Sequence, residues 1–473
     1  MRTILLPDSS PLVTLRLVFR TGAASDPPGK PGLAWLTAQM LSGGGTRRME
    51  YAEILNAFFP MASDVSVWVD KEMTSFTAET HRENLDEFYT IFRDMLLDPG
   101  WREEDFSRLR DDAVNYLAVA LRGQNDEELA KELLYQEIYR HHCYGWHNAG
   151  TVSSLQGLTM EDVRGFYGQQ FASGNLTLGL AGGYPEGFAQ RVIADFHAVL
   201  PARAPAAPAL NQPKQTPVNT VLIAEKPARS VAISLGFPMD VRRGHSDYPA
   251  LLVAQSCLGQ HRMSSGRLFT RMRQLRGLNY GDYAYIEYFP GGMYTLEPAP
   301  NLARSHQIFQ LWIRPVEVDV AVFSLRLALH ELEKMIRDGP TEEEFQRTRS
   351  FLSKYVNLLL KTKAVELGYA ADSEFYGIPN YADYVRSELV HLTREKVSAA
   401  IQRHWRMDGL SIVMVGPDAG RLRTQLLSSE PTPMTYNSPK PEEILAEDRI
   451  VARRDLNVAE DGIRVMPAEQ AFA

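Results

Sequence analysis

The feature that most constrains the fold of this chain is an internal duplication. In each half, six residues at identical spacing trace a helix, a turn and a strand that ends at a glycine. The two matching sets are Val163, Phe171, Leu176, Leu178, Leu180 and Gly182, and then Val397, Trp405, Leu410, Ile412, Met414 and Gly416. Because a repeated pattern marks a repeated structural unit, the chain is predicted to contain two similarly folded domains.

The beginnings of the two halves also match, although more loosely. An apolar strand over residues 12–19 leads to a helix over residues 32–41. In the second half, a strand over residues 231–237 leads to a helix over residues 248–258. The duplication therefore extends to the start of each half.

The strand and helix signals indicate an α+β fold. Val65, Val67 and Val69 alternate with other residues, which is typical of a strand, and residues 70–72 then predict a hairpin. Long segments such as residues 319–337 carry apolar residues at helical spacing. We therefore predict two homologous domains, each a mainly antiparallel sheet with helices packed on one side.

A proline-rich segment separates the two halves. Residues 200–218 contain five prolines and show no apolar periodicity, which is typical of a linker. The predicted domains are residues 1–200 and 218–425, joined by a linker over residues 201–217. Residues 426–473 form a C-terminal tail, and the sequence leaves open whether this tail packs on a partner or lies back on its own domain.

Composition excludes several classes of function. The net charge of −8 gives no basic surface of the kind that nucleic-acid binding requires. The two cysteines, Cys143 and Cys257, are too few for a disulfide framework. No apolar run approaches the roughly 18 residues of a membrane span, and the first residues lack the apolar core of a signal peptide. The chain as given is expected to be cytoplasmic, or periplasmic or in the envelope if a leader precedes it.

Residues 32–40 read Gly-Leu-Ala-Trp-Leu-Thr-Ala-Gln-Met and are predicted to be helical. Positions i, i+3 and i+4 share a helix face, so Trp35, Ala38 and Gln39 lie side by side. An indole, a methyl group and an amide cannot hold Zn²⁺ as imidazole or thiolate does. The segment resembles the motif Gly-Leu-Ala-His-x-x-Glu-His-Met of the pitrilysin/insulinase/mitochondrial-processing-peptidase family. The resemblance implies a degenerate zinc motif, in which Trp35 is expected to fill the volume of the metal site.

The third metal ligand of that family is a glutamate roughly 75 residues further along. Counting from Gln39 reaches residues 114–116, where Asn115 stands. No Asp or Glu occurs between Ala113 and Asn125, and none of the eleven histidines lie four residues apart. The resemblance therefore implies no metal site in this chain, and any zinc is expected in a partner subunit.

A second signature lies in the other half of the chain. Residues 266–269 (Gly-Arg-Leu-Phe) precede Arg273, residues 276–278 (Arg-Gly-Leu) and Tyr280. This resembles the family's Arg and Tyr seven residues apart, which are thought to donate hydrogen bonds to the substrate carbonyl across the cavity from zinc. Such fixed donors suit a position where negative charge develops in the tetrahedral intermediate. Periodicity alone would instead make Arg273 a surface salt-bridge residue and Tyr280 a sheet residue.

The resemblance runs from about residue 5 to 420 and implies two similar domains that face one another as half of a clamshell. It implies a non-zinc-binding subunit of a heterodimeric zinc metallopeptidase, inactive alone, that contributes Arg273 and Tyr280. The expected partners are a homologous zinc-bearing peptidase subunit and a peptide or unfolded polypeptide substrate. Two alternatives remain open, a structural or assembly subunit and a peptide-binding protein without proteolysis.

Overall fold

The computed structural model describes residues 1–203, 205–213, 216–261, 263–291 and 295–473. The strands of the first half are β1 (Arg2–Pro7), β2 (Leu12–Phe19), β3 (Asp64–Val69), β4 (Thr74–His81) and β5 (Leu176–Gly182). They form one five-stranded sheet in the order β1-β5-β2-β4-β3. β1 pairs with β5 in parallel, and all other pairs are antiparallel.

Helices connect these strands and cover the sheet. Those of the first half are α1 (Leu33–Gly43), α2 (Tyr51–Phe58), α3 (Leu85–Leu97), α4 (Glu103–Asn115), α5 (Arg122–Gln124), α6 (Asp126–Ile138), α7 (Val152–Gly157), α8 (Met160–Gln170) and α9 (Phe188–Val199). A π-helical turn over Tyr116–Leu121 joins α4 to α5.

The second half contains a six-stranded sheet. Its strands are β6 (Asn219–Glu225), β7 (Ser230–Met239), β8 (Asp282–Tyr285), β9 (Gln307–Glu317), β10 (Ser411–Gly416) and β11 (Val458–Pro467), in the order β11-β6-β10-β7-β9-β8. Its helices are α10 (Tyr248–Gly259), α11 (Ala321–Asp338), α12 (Glu342–Leu359), α13 (Lys363–Tyr376), α14 (Tyr381–Val390), α15 (Arg394–His404), α16 (Ala419–Leu427) and α17 (Glu442–Val451), together with a π-helical turn over Phe269–Gln274.

The two sheets repeat one topology. When β11 is set aside, the order β1-β5-β2-β4-β3 of the first sheet corresponds strand by strand to β6-β10-β7-β9-β8 of the second. The repeated glycines Gly182 and Gly416 end the equivalent strands β5 and β10. The predicted fold class, two homologous α+β domains, is confirmed.

The second face of the first sheet is covered by a helix from the other half of the chain. Leu15 and Leu17 belong to the core that the first domain forms with its own helices. The opposite face carries Arg16 and Gly179, and there α13 packs so closely that a Cβ at Gly179 would lie 2.8 Å from the side chain of Leu367. Helices of both domains thus bury this sheet.

The second sheet receives α6 of the first half in return. Tyr135 on α6 donates a hydrogen bond to Gln310 on β9, with 2.6 Å between the two oxygen atoms. The Lys131 ammonium group lies 3.9 Å from the centre of the Trp312 ring, and Val413 of β10 packs into the first domain's core. Because both faces are covered, the central strands β2, β7 and β10 are buried along nearly their whole length instead of alternating between buried and exposed residues.

The C-terminal tail lies on its own chain. After α17, β11 pairs in parallel with β6 and widens the second sheet. Ala471 and Phe472, which follow β11, are buried in the core of the first half. The described residues between Val199 and Asn219 form neither helix nor strand, where the sequence predicts a linker. Among the described residues, no helix is long and apolar enough to span a membrane.

Candidate functional site

The helix with the degenerate zinc motif begins at a buried cap. Gly32 precedes α1 with φ = 92°, and a Cβ at this position would come within 2.4 Å of the Ala149 carbonyl oxygen. The Asp26 carboxylate accepts hydrogen bonds from the backbone N–H groups of Gly32 and Ala34, both at 2.7 Å. Burial nevertheless raises the pKa of Asp26 to about 7. The start of α1 is thus fixed between the Asp26 loop and the loop that contains Ala149.

The residues on the metal-binding face of α1 do not fit a metal. Ala38 is fully buried, whereas Trp35 and Gln39 are half-buried. Trp35 packs against the core of the first half. The face offers an amide and no imidazole, thiolate or carboxylate, and these residues therefore cannot form a zinc site.

Asn115 stands at the position of the third ligand and is exposed. It is the last residue of α4, and the π-helical turn starts immediately after it at Tyr116. The Tyr116 ring packs against the ring of His147, with 5.6 Å between the ring centres. The position thus presents a solvated amide beside an aromatic pair.

Two other groups of potential ligands occur among the described residues, and both lie in the second half. They are His245, Asp247 and His404, and His330, Glu331 and Glu447. Arginine or lysine side chains already pair with the carboxylates of both groups. Arg403 pairs with Asp247. Arg271 and Lys334 pair with both Glu331 and Glu447, and Arg276 also pairs with Glu447. Neither group restores the motif on α1.

A buried charged cluster connects the two halves, and sequence analysis did not identify it. Arg304 of the second half binds both carboxylate oxygens of Asp70, at 2.8 and 2.5 Å. Lys71 is also buried and donates a hydrogen bond to the Trp146 carbonyl. Burial lowers the pKa of Lys71 and raises the pKa of the nearby Glu132. The sequence signal was the run of charged residues at 70–72, which predicted only a hairpin.

Arg273 and Tyr280 lie together on the surface of the second half. The Arg273 side chain donates a hydrogen bond to the Tyr280 carbonyl at 3.1 Å. Its guanidinium group lies 4.8 Å from the centre of the Phe269 ring and 5.9 Å from that of Tyr280. Tyr280 is 77% exposed, so its hydroxyl group is open to a ligand or partner. The structure thus brings the predicted pair together, in the half opposite to the degenerate motif.

The neighbouring arginines differ from Arg273 in their partners. Each binds a carboxylate of its own chain, Arg267 with Glu344 at 2.7 Å, Arg271 with Glu331 at 3.2 Å and Arg276 with Asp448 at 2.8 Å. No carboxylate among the described residues pairs with Arg273. Arg267, Arg271 and Arg276 therefore stabilise the domain, and the Arg273 charge remains available.

The fold and these positions define a two-domain protein that resembles a zinc peptidase and carries no metal-binding side chain at Trp35, Ala38 or Gln39. The family model described as "Insulinase (Peptidase family M16)" matches residues 2–152, and the model described as "Peptidase M16 inactive domain" matches residues 157–352. Together they cover most of the chain. The chain belongs to the M16 family.

Similar proteins include some that are named as zinc proteases and one that is named as a non-peptidase homolog. An uncharacterized zinc protease of Mycobacterium tuberculosis is 22% identical over 372 residues, 78% of this chain and 80% of that protein. The Helicobacter pylori protein described as "Non-peptidase homolog YmxG" is 20% identical over 409 residues, 86% of this chain and 89% of that protein. The crystal structure of a Pseudomonas fluorescens peptidase M16 inactive domain is 22% identical, has a TM-score of 0.76 and covers 88% of this chain and 95% of its own. These findings support a non-catalytic M16-like protein.

Proposed function

We propose that this chain is the non-zinc-binding subunit of a heterodimeric metallopeptidase. A homologous partner would hold the zinc ion, and this chain would present Arg273 and Tyr280 to the substrate. Neither chain alone then carries a complete site. The partner supplies the metal that the residues on α1 cannot bind, and this chain supplies hydrogen-bond donors.

The observation that carries the proposal is the availability of the Arg273 guanidinium and the Tyr280 hydroxyl. The neighbouring Arg267, Arg271 and Arg276 are buried or half-buried, and each binds a carboxylate. Arg273 is instead held by a backbone carbonyl and by aromatic rings. These contacts fix its position without neutralising its charge, which suits a group that must meet a developing negative charge.

The local backbone supports the same interpretation. Arg273 lies in the π-helical turn over Phe269–Gln274, a type of irregularity that is frequent at functional sites. Gly277 follows with φ = 69° and reverses the direction of the chain, so that Tyr280 lies beside Arg273. The helix-to-strand junction thus keeps the two predicted donors next to each other.

We expect the purified chain to contain no stoichiometric zinc, because the face of α1 carries Trp35, Ala38 and Gln39. Elemental analysis should find about one zinc per heterodimer, all of it lost when the metal-binding histidines of the partner are replaced. The Gln39→Ala variant of this chain serves as the matched control and should leave the zinc content of the heterodimer unchanged. Tight binding of one zinc by this chain alone, abolished by Gln39→Ala, would contradict the proposal.

A further inference from the structure

The segment after β11 crosses from the second half to the first. β11 belongs to the second sheet, whereas residues 468–473 pack on the first domain beside α7. Ala468, Ala471 and Phe472 are each at most 3% exposed. Glu469 and Gln470 are exposed on the same turn. The segment therefore inserts small and aromatic side chains and leaves its polar side chains in solvent.

The first domain holds this segment by hydrogen bonds to the main-chain carbonyls of the segment. The Arg122 guanidinium donates a hydrogen bond to the Glu469 carbonyl. The Val152 backbone N–H donates to the Phe472 carbonyl at 2.9 Å, and the Ser153 hydroxyl donates to the Ala473 carbonyl at 3.0 Å. Donors aimed at several main-chain carbonyls of one segment, with a pocket for one large side chain, are the features of a peptide-binding site.

The pocket adjoins the degenerate zinc motif. The Phe472 ring packs on His147, with 5.5 Å between the ring centres, and His147 also packs on Tyr116, which follows Asn115. Ala149, two residues after His147, lies against the start of α1. The segment thus lies next to the two elements, α1 and the end of α4, that would carry metal ligands in a zinc-binding relative.

The backbone of the bound segment is not relaxed. Phe472 has φ = 52°, in the left-handed region that non-glycine residues seldom adopt. Residues in such conformations occur where surrounding contacts hold them, and they cluster at ligand clamps and switch regions. The unfavourable backbone conformation therefore offsets part of the free energy gained by burying Phe472, and this favours release of the segment.

We propose that residues 468–473 are an internal ligand of a peptide-binding site on the first domain, a site formed by Arg122, His147, Val152 and Ser153. The site takes a short peptide in which an aromatic residue is flanked by small ones. The chain's own segment blocks it until a peptide of the same chemistry displaces that segment. This site is separate from Arg273 and Tyr280 and does not depend on the peptidase proposal.

The test uses the full chain and a labelled peptide with the segment's own sequence, acetyl-Ala-Glu-Gln-Ala-Phe-Ala. A tethered segment competes at a high effective concentration, so the wild-type chain should bind the peptide weakly. In fluorescence polarisation, the Phe472→Ala chain should bind it at least about tenfold more tightly than the wild type. Gln470→Ala, a change on the exposed side of the same turn, should behave as wild type. Equal binding by the wild type and a folded Phe472→Ala chain would overturn the proposal.

Hydrogen exchange of the wild-type chain keeps the proposal testable if Phe472→Ala does not fold. Excess unlabelled peptide should speed exchange in residues 468–473, because they are displaced. Exchange in residues 148–153 should stay slow, since the added peptide takes over the hydrogen bond of the Val152 amide. If millimolar peptide leaves the exchange of residues 468–473 unchanged, the segment is a fixed part of the fold and the proposal fails.

Discussion

In the assembled heterodimer, Tyr280→Phe is expected to lower kcat by about 10²-fold or more. The substitution removes one hydroxyl group and keeps the ring, which is 77% exposed. Loss of a donor that acts on the transition state lowers kcat and kcat/KM together, whereas loss of a packing contact does not. Steady-state kinetics on a peptide substrate, with heterodimer formation checked by size-exclusion chromatography, measure this effect.

Tyr184→Phe provides the matched control for that experiment. Tyr184 is a half-buried tyrosine of the first half, so this variant makes the same chemical change away from the proposed site. It should leave kcat and assembly unaltered. If the kinetics of a well-assembled Tyr280→Phe heterodimer equal those of the wild type, the chain acts as a scaffold and the structural-subunit alternative becomes the better account.

The second large effect concerns stability. Asp70→Asn is expected to lower the free energy of unfolding by about 3–5 kcal/mol, because it leaves the Arg304 charge buried without its partner. Asp70 and Arg304 are 0% and 2% exposed, and Arg304 binds both carboxylate oxygens. The substitution should also destabilise the second buried cation, Lys71, because the Asp70 carboxylate raises the pKa of Lys71 and so favours its charged form. Urea denaturation followed by circular dichroism measures the change.

An exposed ion pair gives the contrast for Asp70→Asn. Asp383 and Arg386 are separated by 2.6 Å on α14, with side chains 66% and 46% exposed. Asp383→Asn should change the free energy of unfolding by no more than about 1 kcal/mol, because solvent screens such pairs. Similar small effects for both substitutions would show that the Asp70–Arg304 pair does not hold the two halves together.

The fold could be predicted from the sequence because its main signal is repeated. The matched positions from Val163 to Gly182 and from Val397 to Gly416 report one local unit, helix then strand, and the structure has equivalent strands there. The exchange of α6 and α13 between the halves could not be predicted. It depends on contacts such as Tyr135 with Gln310, which lie 175 residues apart and leave no periodic trace.

The candidate site could likewise be predicted from the sequence only in part. The spacing of Arg273 and Tyr280 and the residues at Trp35, Ala38, Gln39 and Asn115 are visible in the sequence, because each belongs to a short motif. The sequence does not show which of the arginines pair with carboxylates, since the acidic partners of Arg267 and Arg276 come from distant helices. For the C-terminal tail, the sequence left two possibilities open, packing on a partner or on its own domain. Its burial on the first domain depends on Phe472 reaching a pocket far away in the sequence.

The measurement that tests the central claim most directly is peptide cleavage by this chain, by its zinc-bearing homologue and by their equimolar mixture. The account predicts cleavage by the mixture at a rate far above the sum of the two separate chains, because each supplies one part of the site. Full activity of the zinc-bearing homologue alone, with no gain on adding this chain, would contradict it.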